Sequence, residues 1–110
     1  MADTLSHLNS KTFSEQLHTK FNLYADSANA LEMELIEVND RTASPKVELF
    51  SIFFRGPQKP LLPQRIYRLE HGKLGSFEIF LTNVEADEQS ATYEAVFHRV
   101  HKNQPGEKKQ

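Results

Sequence analysis

The sequence predicts a mainly β domain: a small antiparallel β-barrel or curved roll of five to six strands, with one short N-terminal helix. Two observations predict it. From residue 21 to residue 100 apolar residues recur at a period of two, the spacing at which successive side chains leave opposite faces of a strand. The runs are short and separated by clusters of Gly, Pro, Asn, Asp and Ser, the punctuation of hairpins. A second helix-length periodic segment is missing, which excludes a parallel sheet wound through crossover helices. At 110 residues the chain makes one domain, and folding buries about two-thirds of the surface of the unfolded chain.

Residues 1–11 are polar and aperiodic and read as a flexible N-terminus. Residues 101–110 (HKNQPGEKKQ) read as a flexible C-terminal tail, and 12–100 as a single β-rich domain. The helix is expected over 12–20. Thr12 stands as its cap, with Glu15 at capping-box spacing, and Phe13, Leu17 and Phe21 form a narrow apolar stripe. So short a helix must pack on something, and its expected place is over one end of the sheet.

Strands follow in order. Phe21, Leu23 and Ala25 alternate, then Leu31, Met33 and Leu35. The phase slips at Leu35-Ile36 because Val38 continues from Ile36, the mark of a bulge or barrel corner. NDRTASP (39–45) is a turn, VELFSIFFR (47–55) a strand, and GPQKPLLP (56–63) a loop with three prolines. Arg65 to His71 alternates with Tyr67 and Leu69 on one side, and HGKLG (71–75) turns into Phe77, Ile79 and Leu81. EADEQSA (85–91) leads into the last strand, Thr92 to Val100, with Tyr93, Ala95 and Phe97 on one face. A turn around Glu88 sets Ile79 opposite Phe97, Leu81 opposite Ala95 and Glu78 opposite His98. Gly56, Gly72 and Gly75 fall at strand ends, where positive φ or a tight turn is expected.

Composition excludes several function classes. The absence of Cys removes disulfide frameworks, thiolate zinc sites, iron–sulfur clusters and Cys nucleophiles. A formal charge of −2 argues against a nucleic-acid partner held by bulk positive charge. No apolar run approaches the roughly 18–20 residues of a membrane span, and the first residues are neither basic nor apolar enough for an export signal. The expectation is a cytoplasmic domain with no membrane and no nucleic-acid partner.

One strand carries apolar residues on both faces. Val47, Leu49 and Phe53 are placed on the core face, which leaves Phe50, Ile52 and Phe54 on the other. With Phe80 and Val96 these form a second apolar patch and the candidate interface. The helix, another chain or a small ligand would each cover it; exposed, such a patch marks an interaction site or an aggregation hazard. Charge is also divided. Residues 26–50 carry a net −4 and residues 55–74 a net +4. Cross-strand pairing that sets register accounts for this, as does a head-to-tail contact between copies.

Catalytic signatures are missing: no nucleophile elbow, no glycine-rich phosphate loop and no His pair at metal-ligand spacing. His7 and His101 fall in the ends, His18 late in the helix. Arg55, Arg68, Glu70, His71 and His98 form a candidate polar site in which a structural His–Glu pair, tying a turn to a neighbouring strand, is preferred over a catalytic or metal site. No catalytic residue, metal or cofactor is assigned.

The segments FSIFFRGP (50–57), LEHGKLGSF (69–77) and YEAVFHR (93–99) resemble an uncharacterised family of small bacterial domains of unknown function. Its pattern is F-S-L-x-F-R-G-P, then L-E-H-x-x-L-G-x-F, then Y-E-A-V-F-N-R; His98 stands where the family has Asn. The resemblance covers about residues 12–100 and implies a compact domain without catalytic residues, of a kind that accompanies phage-tail-collar-like proteins. The functional expectation is a non-enzymatic protein-interaction or assembly accessory module, bound to another protein or to itself. The alternative is a small-molecule-binding barrel with weak chemistry around Arg68, Glu70 and His71.

Overall fold

The structure, a computed structural model, describes residues 8–25, 30–42, 44, 46–59 and 61–100. The helix α1 is Ser10–Ser14. The strands are β1 Lys20–Tyr24, β2 Ala30–Asp40, β3 Val47–Pro57, β4 Arg65–His71, β5 Gly75–Ala86 and β6 Ser90–Val100. The expected C-terminal tail and residues 1–7 of the expected N-terminal one, with His7 and His101, lie outside the described residues. Leu8 is buried and Asn9 caps α1, so ordered chain begins before residue 12.

The strands form a closed barrel in the order β1-β2-β3-β6-β5-β4, every pair antiparallel. It is built from two three-stranded meanders, β1–β3 and β4–β6. They join along β3–β6, which pairs from Val47↔Val100 to Pro57↔Ser90. The seam opposite closes over three residues, Asn22↔Glu70 to Tyr24↔Arg68. Each middle strand carries an irregularity. β2 slips against β3 between Leu35 and Glu37, where the sequence changes phase, and β5 slips against β6 between Asn83 and Glu85. An extra residue on one strand bends it and tightens its twist, which lets six short strands curve into closure.

The expected pairs Ile79–Phe97, Leu81–Ala95 and Glu78–His98 do not form, because β5 and β6 part before Thr82; the same register is met only at Thr82↔Glu94 and Asn83↔Tyr93. Val84 is the extra residue that then brings Glu85 opposite Thr92. At its tip the Asp87 carboxylate accepts hydrogen bonds from the Gln89 and Ser90 amides, both 2.8 Å, which hold its pKa below the usual value.

The placement of β3 reverses the expected one. Phe50, Ile52 and Phe54 are fully buried inside the barrel, while Val47, Leu49 and Phe53 lie half-buried outside it. Alternation has no sign in a strand that is apolar on both faces; the pairing with β6 supplies it. Phe50 sits opposite Phe97, Ile52 opposite Ala95 and Phe54 opposite Tyr93, all inward. The Phe50 and Phe97 rings stack, with centroids 4.5 Å apart.

The helix is shorter than expected and starts earlier. Asn9, not Thr12, is its cap: the Asn9 Oδ1 accepts from the Thr12 amide at 2.9 Å. It ends because Phe21 is drawn into β1 opposite Met33, and His18 turns the chain with φ 68°. The His18 amide donates to the Leu35 carbonyl, 2.7 Å, so β2 has already captured the chain there. A helix of five residues has little stability of its own, and α1 is held by Phe13. That ring is fully buried against Phe50, Phe77 and Phe97 at centroid distances of 6.3, 6.1 and 5.7 Å. It plugs one end of the barrel.

The β3–β4 connection closes the other end. Leu62 is buried, its amide donates to the Tyr93 hydroxyl at 2.9 Å, and the Tyr67 hydroxyl donates to the Pro63 carbonyl. Gly75 has φ 86° in the β4–β5 turn, as expected of such a position. Gly56 serves differently: it lies within β3, where a Cβ would collide with the Met33 sulfur. Among the described residues no helix is long and apolar enough to cross a membrane.

Phe13→Ala should cost about 3–5 kcal/mol, the range for deleting a buried aromatic ring, whereas Asn9→Ala should cost only about 1 kcal/mol as a lost cap. Urea unfolding followed by far-UV circular dichroism checks both. Equal effects would show that the helix, not the ring, holds this end of the barrel.

Candidate functional site

On the outside of the barrel the alternation of three neighbouring strands brings apolar residues into one row. Ile66 on β4 pairs with Phe80 on β5, and Val96 on β6 continues the row. These side chains are 61%, 49% and 57% exposed. Of the five expected interface residues, the structure thus leaves Phe80 and Val96 outside and takes Phe50, Ile52 and Phe54 into the core. Ile66 takes part unforeseen. Its signal was present, because Tyr67 and Leu69 facing inward put Ile66 outward.

The row crosses an opening in the barrel wall. β5 and β6 pair only from Thr82↔Glu94 to Ala86↔Ala91. Before that point residues 75–81 pair with β4 alone, and residues 95–100 pair with β3 alone. Between them lies a groove of about 410 Å³. Its rims carry Ile66, Glu78, Phe80, Val96 and His98, and its floor is the core pair Ile79 and Phe97. Phe13 stands behind that floor, between Phe77 of one wall and Phe97 of the other. At the groove's edge Arg99 donates to the Leu8 carbonyl at 2.6 Å and lies 5.0 Å over the Phe97 ring, which ties the segment before α1 to β6.

The expected polar residues do not form one site. Arg55 pairs with Glu34 directly across β3–β2, 3.3 Å, and this bond is the main cause that holds the Glu34 carboxyl below its usual pKa. Arg68 and Glu70 form a second group with Tyr24. The Tyr24 hydroxyl donates to Glu70 at 3.0 Å, Arg68 donates to the other carboxylate oxygen at 2.6 Å, and its guanidinium covers the Tyr24 ring at 4.1 Å. The bond from Tyr24, then that from Arg68, lowers the pKa of Glu70. His98 lines the groove, while His71 and Glu70 together line a separate cleft of about 410 Å³ with Lys20, Asn22 and Ser76. His18, expected in the helix, follows it and lies 3.4 Å from Glu34. Among the described residues no three His, Asp or Glu side chains gather as a metal site would need.

His71 is held by three bonds. Its Nδ1 accepts from the Lys73 and Leu74 amides at 3.0 and 3.2 Å, which leaves the proton on Nε2. Nε2 donates to the Thr19 hydroxyl at 2.9 Å, and that hydroxyl donates onward to the Gln16 carbonyl at 2.7 Å. The ring also packs on Phe21, with centroids 4.3 Å apart. This imidazole ties the β4–β5 turn to the segment after α1 and has no lone pair left for a substrate. Burial, and secondarily the charge of Lys73, lowers its pKa below the ordinary 6.5.

Because the folded value is the lower one, the unfolded chain binds more protons between the two. The contribution of His71 to stability is therefore full above about pH 6.5 and declines as the pH falls from there to the lowered folded value. His71→Asn keeps an acceptor for the turn amides and removes the titration. Thermal melts from pH 7.5 to pH 5 should show a flatter slope for the variant; identical slopes would assign the pH dependence elsewhere.

No curated protein and no solved structure gives a significant match to the chain. A family model described as a domain of unknown function, DUF6916, matches residues 8–97, from the buried Leu8 ahead of α1 to the floor of the groove at Phe97. The chain belongs to that family.

Proposed function

We propose that this domain is a non-enzymatic protein-interaction or assembly module that uses the outer face of β4–β5–β6. The observation that carries the reading is the exposed row Ile66–Phe80–Val96 beside an open stretch of wall. An exposed apolar row on a small domain is unfavourable against water and gains free energy when another surface covers it. The barrel interior offers no competing role, because Phe13, Phe21, Phe50, Phe54, Tyr67 and Tyr93 fill it. Arg55, Arg68, Glu70 and His71 are engaged with one another or with neighbours, which weighs against small-molecule chemistry. Contact with another copy of the chain is the simplest form of the reading, and an accessory role beside phage-tail-collar-like proteins is consistent with it.

Size-exclusion chromatography with light scattering at low and high salt tests self-association. An apolar contact persists at high salt, whereas a contact between the acidic and basic segments weakens as salt screens it. The wild type should exceed monomer mass at both ionic strengths. Phe80→Ser/Val96→Thr should run as a monomer, with stability changed by no more than about 0.5 kcal/mol per exposed site. A wild type that stays strictly monomeric at high concentration in both conditions removes self-association.

A further inference from the structure

The open wall has the chemistry of a strand-acceptor site. Residues 75–81 of β5 and 95–100 of β6 each have one edge satisfied, by β4 and β3, and no register pair joins their facing edges. Paired strands stand about 4.8 Å apart; here the ladder stops and a groove lies between the two strands instead. Backbone N–H and C=O groups on these edges lie outside the β5–β6 register, and an extended chain can bond to such groups. The groove floor is apolar, from Ile79 and Phe97, and the rims are apolar at Phe80 and Val96. A chain lying in it therefore meets apolar surface on both of its faces.

Charge selects the occupant. From residue 76 to residue 98 the chain contains Glu78, Glu85, Asp87, Glu88 and Glu94 and neither Lys nor Arg. Glu78 is exposed and lines the groove, while Arg99 in the same lining is turned to the Glu48 carboxylate and the Leu8 carbonyl. The register partner of Glu78, Arg68, is already bonded to Glu70 and stacked on Tyr24.

The geometry points to β-strand addition: the groove between residues 75–81 and 95–100 accepts an extended segment of another protein, apolar at alternate positions and bearing Lys or Arg between them. It rests on the interaction reading above and narrows it to one recognition mode. Main-chain hydrogen bonds to the open edges supply affinity, and pockets for alternate side chains supply specificity. A basic side chain beside Glu78 adds an ion pair and disfavours acidic segments.

The probe is the blocked heptapeptide Lys-Val-Lys-Val-Lys-Val-Lys, titrated into the ¹⁵N-labelled full chain. Amide shifts should concentrate at residues 76–81 and 95–99. Methylating alternate peptide nitrogens, which removes donors and leaves the side chains, should weaken binding at least tenfold, and replacing every Lys by Glu should do the same. Glu78→Lys should reverse the preference between the two charged peptides; this exposed site leaves the fold intact, which the spectrum itself verifies. Equal binding of the methylated peptide, shifts centred elsewhere, or no binding at millimolar peptide would each overturn strand addition. Should that happen while the wild type still self-associates through Phe80 and Val96, the interaction face stands and only the recognition mode fails. Loss of both results rejects the two together.

Discussion

The barrel depends on one ring. Phe13 reaches from a helix too short to persist alone and packs among Phe50, Phe77 and Phe97, which belong to β3, β5 and β6. Two of those strands are not hydrogen-bonded to each other at that level, so dispersion and burial bridge what the ladder does not. Without the ring, Phe77 and Phe97 would face a void behind an already open wall, and a void forfeits both contact energy and the burial of its lining. The helix is in this sense a mount. Asn9 starts it, His18 turns the chain away from it, and the Arg99 bond to Leu8 anchors its approach.

Most of the architecture was legible because alternation is a local property. The slip at Leu35-Ile36 showed in the sequence as a phase change, since a bulge adds one residue and shifts every later side chain to the other face. The inward faces of β5 and β6 were legible for the same reason, as their outward positions are mostly polar. The facing of β3 was not, because FSIFF is apolar at consecutive positions and only pairing with β6 decides it. The second bulge stayed hidden, since Asn83 and Val84 lie beside a turn where alternation fades. Helix length was overestimated because Phe21 satisfies a helical stripe and a strand alternation equally, and β2 wins it.

The candidate surface was half visible. Phe80 and Val96 stood out as apolar residues among polar neighbours, and both are exposed. What no periodicity reveals is that the strands bearing them part company below Thr82. The divided charge, in turn, proves mostly local. Glu34 meets Arg55 across β2–β3, and Lys20 lies diagonally across β1–β2 from Glu32 at 3.9 Å, so opposite charges on adjacent strands favour the observed register. In the acidic hairpin the Asp87 carboxylate is held mainly by the Gln89 and Ser90 amides, with a smaller attraction from Arg55, and Glu78 lies exposed on the groove rim.

The strand order has a property of its own. Exchanging the first meander for the second, β1 for β4, β2 for β5 and β3 for β6, leaves the circle of neighbours unchanged, and each middle strand keeps its bulge against the third. Strand ladders join the two halves along β3–β6 and β1–β4, and the sequence passes from one half to the other once, between Pro57 and Arg65. Two copies could therefore trade halves by straightening that single connection, and each rebuilt barrel would retain all of its native strand pairs. In this fold, the monomer and an intertwined dimer differ at one hinge, and Pro57 and Pro63 at its margins restrict the angles through which it can swing.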